Sequence, residues 1–91
     1  MYQFRVYVIE LSDTSLYVGS TAHAIRVRYA QHRSGGRLAS RACRRLGVKR
    51  LRPDLYTHLS AFLTRERVER EETKLAKRLQ RQGYQVHGGN L

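Results

Sequence analysis

Glu72 is the residue whose type and position sit worst with ordinary packing. The segment from Arg65 to about Gln82 carries apolar residues at helical spacing. At about 100° per residue, Val68, Leu75, Leu79 and Ala76 fall on one stripe. Glu72 falls about 40° from Val68, inside that stripe. A carboxylate on an apolar face is costly unless a cation or a metal ion compensates it. Two readings stay open: an ion pair with a basic helix, or a metal-binding or catalytic carboxylate in a cleft. Glu66, Glu69 and Glu71 lie at the edge of the stripe or outside it and read as surface.

A second group lies in the first third of the chain. Arg28 and His32 are four residues apart, so a helix places them on one face. An arginine fork clamps a phosphate, and a nearby histidine can donate to that phosphate or take part in proton transfer. Upstream, Tyr7 and Tyr17 are each central in a strand-like run, and Gly19 closes the second run. The two tyrosines share a sheet face only if cross-strand partners sum to an even number. Ile9 opposite Tyr17 meets that condition, whereas Glu10 opposite Tyr17 separates them.

The elements that must position these residues follow from the pattern. Gln3–Leu11 and Leu16–Gly19 read as a hairpin around Ser12-Asp13-Thr14-Ser15. Ser20-Thr21 offers a cap for a helix over Ala22–Arg33, stopped at Gly35-Gly36. Ala39–Leu46 reads as a short helix closed by Gly47. Pro53 breaks the chain, Leu55–Leu59 reads as a third strand, and Thr64 caps the long helix that Gly83 stops. Tyr84–Leu91 reads as an extended tail. At 91 residues the expectation is one α+β domain over residues 1–91 with a small core.

Charge narrows the class. Eighteen Lys+Arg against seven Asp+Glu give +11. Arg26, Arg28, Arg33, Arg37, Arg41, Arg44, Arg45, Lys49, Arg50 and Arg52 follow one another with no acidic residue between them. So long an acid-free run repels itself, and a phosphate backbone explains it better than solvation alone. A single cysteine, Cys43, excludes a disulfide framework and reads as a small buried apolar residue. His23, His58 and His87 lack metal-ligand spacing and read as surface or loop. Tyr56 fits either a core position or a base-stacking one. The segment from Met1 reads as a strand rather than a signal peptide, and no apolar run is long enough to span a membrane, so a cytoplasmic protein is expected.

Together these pieces resemble the GIY-YIG nuclease family. Val6-Tyr7-Val8 corresponds to its first triplet and Tyr17-Val18-Gly19 to its second. Ser20-Thr21, Arg28-x-x-x-His32 and Ser34-Gly35 follow, and Glu72-x-x-Leu75 corresponds to the helix bearing the family's metal-binding glutamate. The resemblance runs over the whole chain. It is closest to small stand-alone members, which share a segment like Gly47-Val48 to Tyr56 and a tail like Gly83-Tyr84-x-Val86-x-Gly88-Gly89.

The resemblance implies a small three-stranded antiparallel sheet flanked by helices. It implies hydrolysis of nucleic-acid phosphodiesters with one Mg²⁺ or Mn²⁺, DNA being expected over RNA. Carried over by position, Tyr7 and Tyr17 would line the site, one of them as general base or water-orienter. Arg28 would hold the scissile phosphate, His32 would assist proton transfer or bind phosphate, and Glu72 would hold the metal. Gly19 would be structural. Arg26, Arg33, Arg37, Arg41, Arg44, Arg45, Lys49 and Asn90 are the candidate nucleic-acid contacts.

The chain departs from the family pattern in places. Val6 replaces a glycine, and both central isoleucines are valines. Val27-Arg28 stands for an Arg-Arg pair, so Arg26 rivals Arg28. A C-terminal phosphate-binding asparagine of many members is matched by Asn90, or by Gln85 on strand pattern. Substrate selectivity would come from the domain itself, from a homodimer, or from a partner protein. The competing classes are a non-catalytic nucleic-acid-binding module that keeps the fold and a basic structural protein that binds RNA.

Overall fold

The computed structural model describes residues 3–91; the part of the first strand expected at Met1 and Tyr2 lies outside the described residues. Strands β1 (Arg5–Leu11) and β2 (Leu16–Thr21) form the antiparallel hairpin. Asp13 Oδ1 accepts the Ser15 N–H at 3.0 Å, a local side-chain bond that closes the turn. Ile9 stands opposite Tyr17 and Tyr7 opposite Gly19. Tyr7, Tyr17 and Gly19 therefore share one face, while Val6, Val8, Val18 and Ser20 share the other. A Cβ on Gly19 would lie 2.6 Å from the Tyr7 hydroxyl, so the second triplet ends in the one residue that leaves room for the first.

The sheet departs from the expected three antiparallel strands. It has four, in the order β3-β1-β2-β4, and is mixed. Strand β3 is Val48–Leu51, antiparallel to β1, rather than Leu55–Leu59. The cause is Pro53, which opens a 3₁₀ turn over Pro53–Leu55 and whose carbonyl accepts the N–H groups of Tyr56 and Thr57. Tyr56 is buried in the core, which excludes the stacking role. Strand β4 (Val86–Gly88), expected only as an extended tail, pairs in parallel with β2.

Helix α1 (Ile25–Ser34) starts later than expected because Thr21 stays in β2, where its Oγ1 accepts the His23 N–H at 3.0 Å. It ends at Gly35 with a left-handed φ of 69°. Helix α2 (Arg41–Leu46) is capped by Ser40, whose side chain accepts the Cys43 N–H. Helix α3 (Arg65–Arg81) is capped by Thr64 and buries Val68, Glu72, Leu75, Ala76 and Leu79, the expected stripe.

Helix α3 covers the Val18 face of the sheet. Gly89 is wedged there, where a Cβ would come 2.5 Å from Ala76 and 3.7 Å from Val18. Helices α1 and α2 cover the Tyr7 face with His32 and Cys43. Each buried Val or Leu contributes about 1.5–3 kcal/mol, so this two-sided core holds β1 and β2 rigidly between the layers. Among the described residues, no helix is long and apolar enough to cross a membrane.

Candidate active site

Three rings meet on the α1 side of the sheet. The centroids of Tyr7 and Tyr17 are 6.3 Å apart, those of Tyr17 and His32 5.2 Å, and those of Tyr7 and His32 5.8 Å. Tyr7 and His32 are fully buried, and Tyr17 is half-buried. His32 Nε2 lies 2.7 Å from the Tyr7 hydroxyl, and the Ser40 N–H donates to His32 Nδ1 at 3.0 Å. A backbone N–H can only donate, so Nδ1 must be the acceptor. The neutral ring then carries its proton on Nε2 and donates it to Tyr7.

The ring is neutral for a physical reason. Burial, with a smaller contribution from the Arg28 charge, pushes His32 down to about 4. Burial pushes the Tyr7 hydroxyl above its ordinary value, helped by Tyr17 and opposed by Arg28. Tyr17 is also raised, first by burial and in part by the Glu72 charge. Arg28 is half-buried, and its Nη1 donates to Gln31 Oε1 at 2.8 Å and to the Leu38 carbonyl at 2.7 Å. Its remaining guanidinium N–H groups stay available. Of the two rivals, Arg28 stands at the tyrosines, while Arg26 is exposed on α1.

Glu72 approaches from the other layer. It is 7% exposed, and no Lys, Arg or His nitrogen among the described residues forms an ion pair with it. In a chain of +11 the ion-pair reading therefore does not hold. Its partners are neutral: Asn90 Nδ2 at 3.5 Å from Oε2, and the Ser20 side chain. Burial pushes its carboxyl up to about 7, with Glu69 adding to the rise and Ser20 and Asn90 opposing it. Asn90, rather than the exposed Gln85, reaches Glu72. Consecutive left-handed residues, Gly88, Gly89 and Asn90, carry the chain there. At Gly88 a Cβ would lie 2.4 Å from the Val18 carbonyl, so glycine is required.

A buried carboxylate with no cation partner and two neutral hydrogen-bonding neighbours suits a hard divalent ion. Among the described residues no three His, Cys, Asp or Glu side chains cluster as a metal cage. An ion on Glu72 would keep most of its shell for water and phosphate, as Mg²⁺ does.

The basic residues divide. Arg26, Arg33, Arg37, Arg41, Arg44 and Arg45 are exposed on α1, α2 and their connection. Lys49 is not free: it pairs with Glu10 at 3.4 Å on the β3 edge, across the sheet from β4. A groove of about 460 Å³ opens beside Tyr17 between α2 and the C-terminal tail. A larger cavity of about 520 Å³, under the 58–64 loop, holds none of the expected site residues. His23 and His58 are exposed as expected, but His87 is half-buried in β4 and its Nε2 is buried without a partner.

Sequence reasoning missed Ser20 and Ser40 as site residues. Ser40 had a legible signal as the polar residue ahead of a short helix, but nothing local says that its N–H reaches back eight positions to His32. Ser20 read as a helix cap and instead faces Glu72 from β2.

A tyrosine-bearing hairpin, an Arg-His helix and a glutamate helix thus meet in layers around the sheet. The GIY-YIG catalytic domain family model matches residues 3–85, and the chain belongs to that family, one of nucleases. No curated protein and no solved structure matches the chain.

Proposed function

We propose that this protein is a divalent-metal-dependent endonuclease that hydrolyses phosphodiester bonds in DNA. The observation that carries the reading is Glu72: buried, uncompensated in a strongly basic chain, and close enough to Tyr17 to perturb it. In a domain that only bound nucleic acid, an ionised Glu72 would oppose the phosphate, whereas a metal ion would compensate it.

Glu72 would hold Mg²⁺ or Mn²⁺, with Asn90 and Ser20 orienting its oxygens. The ion, when bound, supplies charge neutralisation for the departing oxygen. Arg28 clamps the non-bridging phosphate oxygens with the N–H groups not used by Gln31 and Leu38. Tyr17 is the tyrosine with access to solvent, so its hydroxyl accepts a hydrogen bond from the attacking water and aligns it. Tyr7 and His32 are too buried to touch substrate. Their part is to fix the Tyr17 ring from behind, and the His32 Nε2–H, by donating to the Tyr7 hydroxyl oxygen, holds the Tyr7 ring in place. In this reading His32 is a positioning residue, a different part from the proton transfer or phosphate binding that the resemblance implies for it.

The test is cleavage of labelled single-stranded, duplex and branched DNA, and of RNA, with Mg²⁺, Mn²⁺ or EDTA. Glu72→Ala should lower the rate by about 10³-fold or more. Salt-sensitive binding with no cleavage in either protein, on any substrate, would replace this reading with the binding module.

A further inference from the structure

We propose that the groove beside Tyr17 is a subsite for one unpaired nucleotide, so that the protein engages single-stranded or splayed nucleic acid in preference to an intact duplex. The proposal takes its ligand class from the nuclease reading but does not depend on catalysis.

The groove is bounded by Ser40, Arg41 and Arg45 on one side and by His87 and Asn90 on the other, with Tyr17 between them. Arg41 and Arg45 are four residues apart on α2 and lie on one helix face. Both are exposed, and neither forms an ion pair among the described residues. No Asp or Glu side chain lines the groove, so neither Arg41 nor Arg45 meets an acidic side chain there. Two cations on one wall and two rings, Tyr17 and His87, at the base and far wall make the combination that binds a single strand: a positive track beside aromatic surfaces.

Size favours a single nucleotide. A groove of about 460 Å³ lies in the range that holds one small ligand. In a duplex the bases are stacked and paired inside the helix, so a duplex would lie across the rim without inserting a base. The groove also ends on Asn90, 3.5 Å from Glu72, so a strand lying in it leads its backbone toward the carboxylate. A duplex laid across the rim would meet Arg41 and Arg45 but would keep its base away from Tyr17 and His87.

The test is binding in EDTA, which removes cleavage from the measurement. Fluorescence anisotropy would compare a labelled oligothymidylate with a blunt duplex of equal length. The proteins are the wild type, Arg41→Ala/Arg45→Ala, and Lys77→Ala/Arg81→Ala, which removes equal charge from exposed positions of α3. The wild type should bind the single strand about tenfold or more tighter than the duplex. The α2 variant should lose about tenfold or more on the single strand, and the α3 variant only a small factor on both ligands. Equal or tighter duplex binding by the wild type, or equal losses in the two variants, would overturn the subsite. Because no cleavage enters, a failed nuclease reading with a preserved strand preference remains distinguishable from the converse.

Discussion

Two buried carboxylates lie on the α3 side of the same sheet, and their surroundings are opposite. Glu10, 5% exposed in β1, receives Lys49 at 3.4 Å, Arg50 at 3.0 Å and Arg52 at 3.1 Å. Burial alone would raise its carboxyl, but the bonds from Arg50, Arg52 and Lys49 together outweigh it and hold the group below its ordinary value. Glu72, 7% exposed, receives none and is pushed up. The first is a charge the fold has neutralised to tie β3 onto β1. The second is a carboxyl left without a cation at a cost in stability, the kind of perturbed group that marks a candidate functional site.

Exchanging the two for neutral groups should separate their roles most sharply. Glu72→Gln should abolish cleavage, about 10³-fold or more, while leaving the metal-free protein at least as stable at pH 8. Glu10→Gln should do the reverse, losing about 1–2 kcal/mol, since its cations are partly solvated, and keeping cleavage within a few-fold. Urea denaturation beside a cleavage assay reads both. If Glu10→Gln silenced cleavage and Glu72→Gln merely unfolded the protein, the assignment would be reversed.

Metal addition should sharpen the contrast next. With Glu72 intact, millimolar Mg²⁺ or Mn²⁺ at pH 8 should raise Tm, by about 4–8 °C for each kcal/mol of binding. Glu72→Gln should show no rise, and Glu10→Gln should show the full one. A rise that survives in Glu72→Gln would place the ion elsewhere.

The pH dependence carries opposite signs. Glu72, raised from 4.5 to about 7 when folded, adds stability that is complete below about pH 4.5 and is lost as pH rises through 7. Glu10, lowered, adds stability that is present above 4.5 and is lost as pH falls. His32, lowered from 6.5 to about 4, also loses its contribution on acidification. Between pH 5 and 8, the metal-free wild type should therefore lose about 1–2 kcal/mol more than Glu72→Gln, after allowance for the partial solvent exposure of the carboxylate. Equal slopes in the two proteins would mean that Glu72 titrates normally.

Much of this contrast was legible in the residue pattern, and the limit falls where contacts become non-local. Helix periodicity alone put Glu72 on a buried stripe, because a regular helix fixes which residues share a face. The hairpin register could be posed as a parity condition, and Ile9 opposite Tyr17 meets it. Strand β3 was misplaced because Val48–Leu51 is short and half charged. Its edge position and the Glu10 ion pairs stabilise it, and neither is visible in local propensity. Strand β4 looks like a tail in the sequence because three residues carry no periodic signal, and parallel pairing to β2 depends on where α3 returns the chain. Periodicity leaves both readings of Glu72 open, ion pair or cleft carboxylate, because whether any of eighteen basic residues reaches it depends on non-local packing.

The smallest expected effect tests one link between the ring cluster and the basic helix. The Ser40 N–H holds His32 in the Nε2–H tautomer, and Ser40 also caps α2, so one residue serves both. Its φ of −64° suits proline, which keeps the backbone and deletes the N–H. Ser40→Ala serves as the control: like the proline variant it loses the cap, about 1 kcal/mol, and the side-chain bond to Tyr17, but it keeps the N–H. The ¹⁵N shifts of His32 should report an Nε2–H ring in the wild type and in Ser40→Ala, and a mixture of tautomers in Ser40→Pro. Cleavage should fall a few-fold further in Ser40→Pro than in Ser40→Ala, because a ring with its lone pair on Nε2 would accept from Tyr7 instead of donating to it. Identical shifts and rates in the two variants would show that burial and Arg28 alone set the ring, and that α2 does not influence the tyrosines through Ser40.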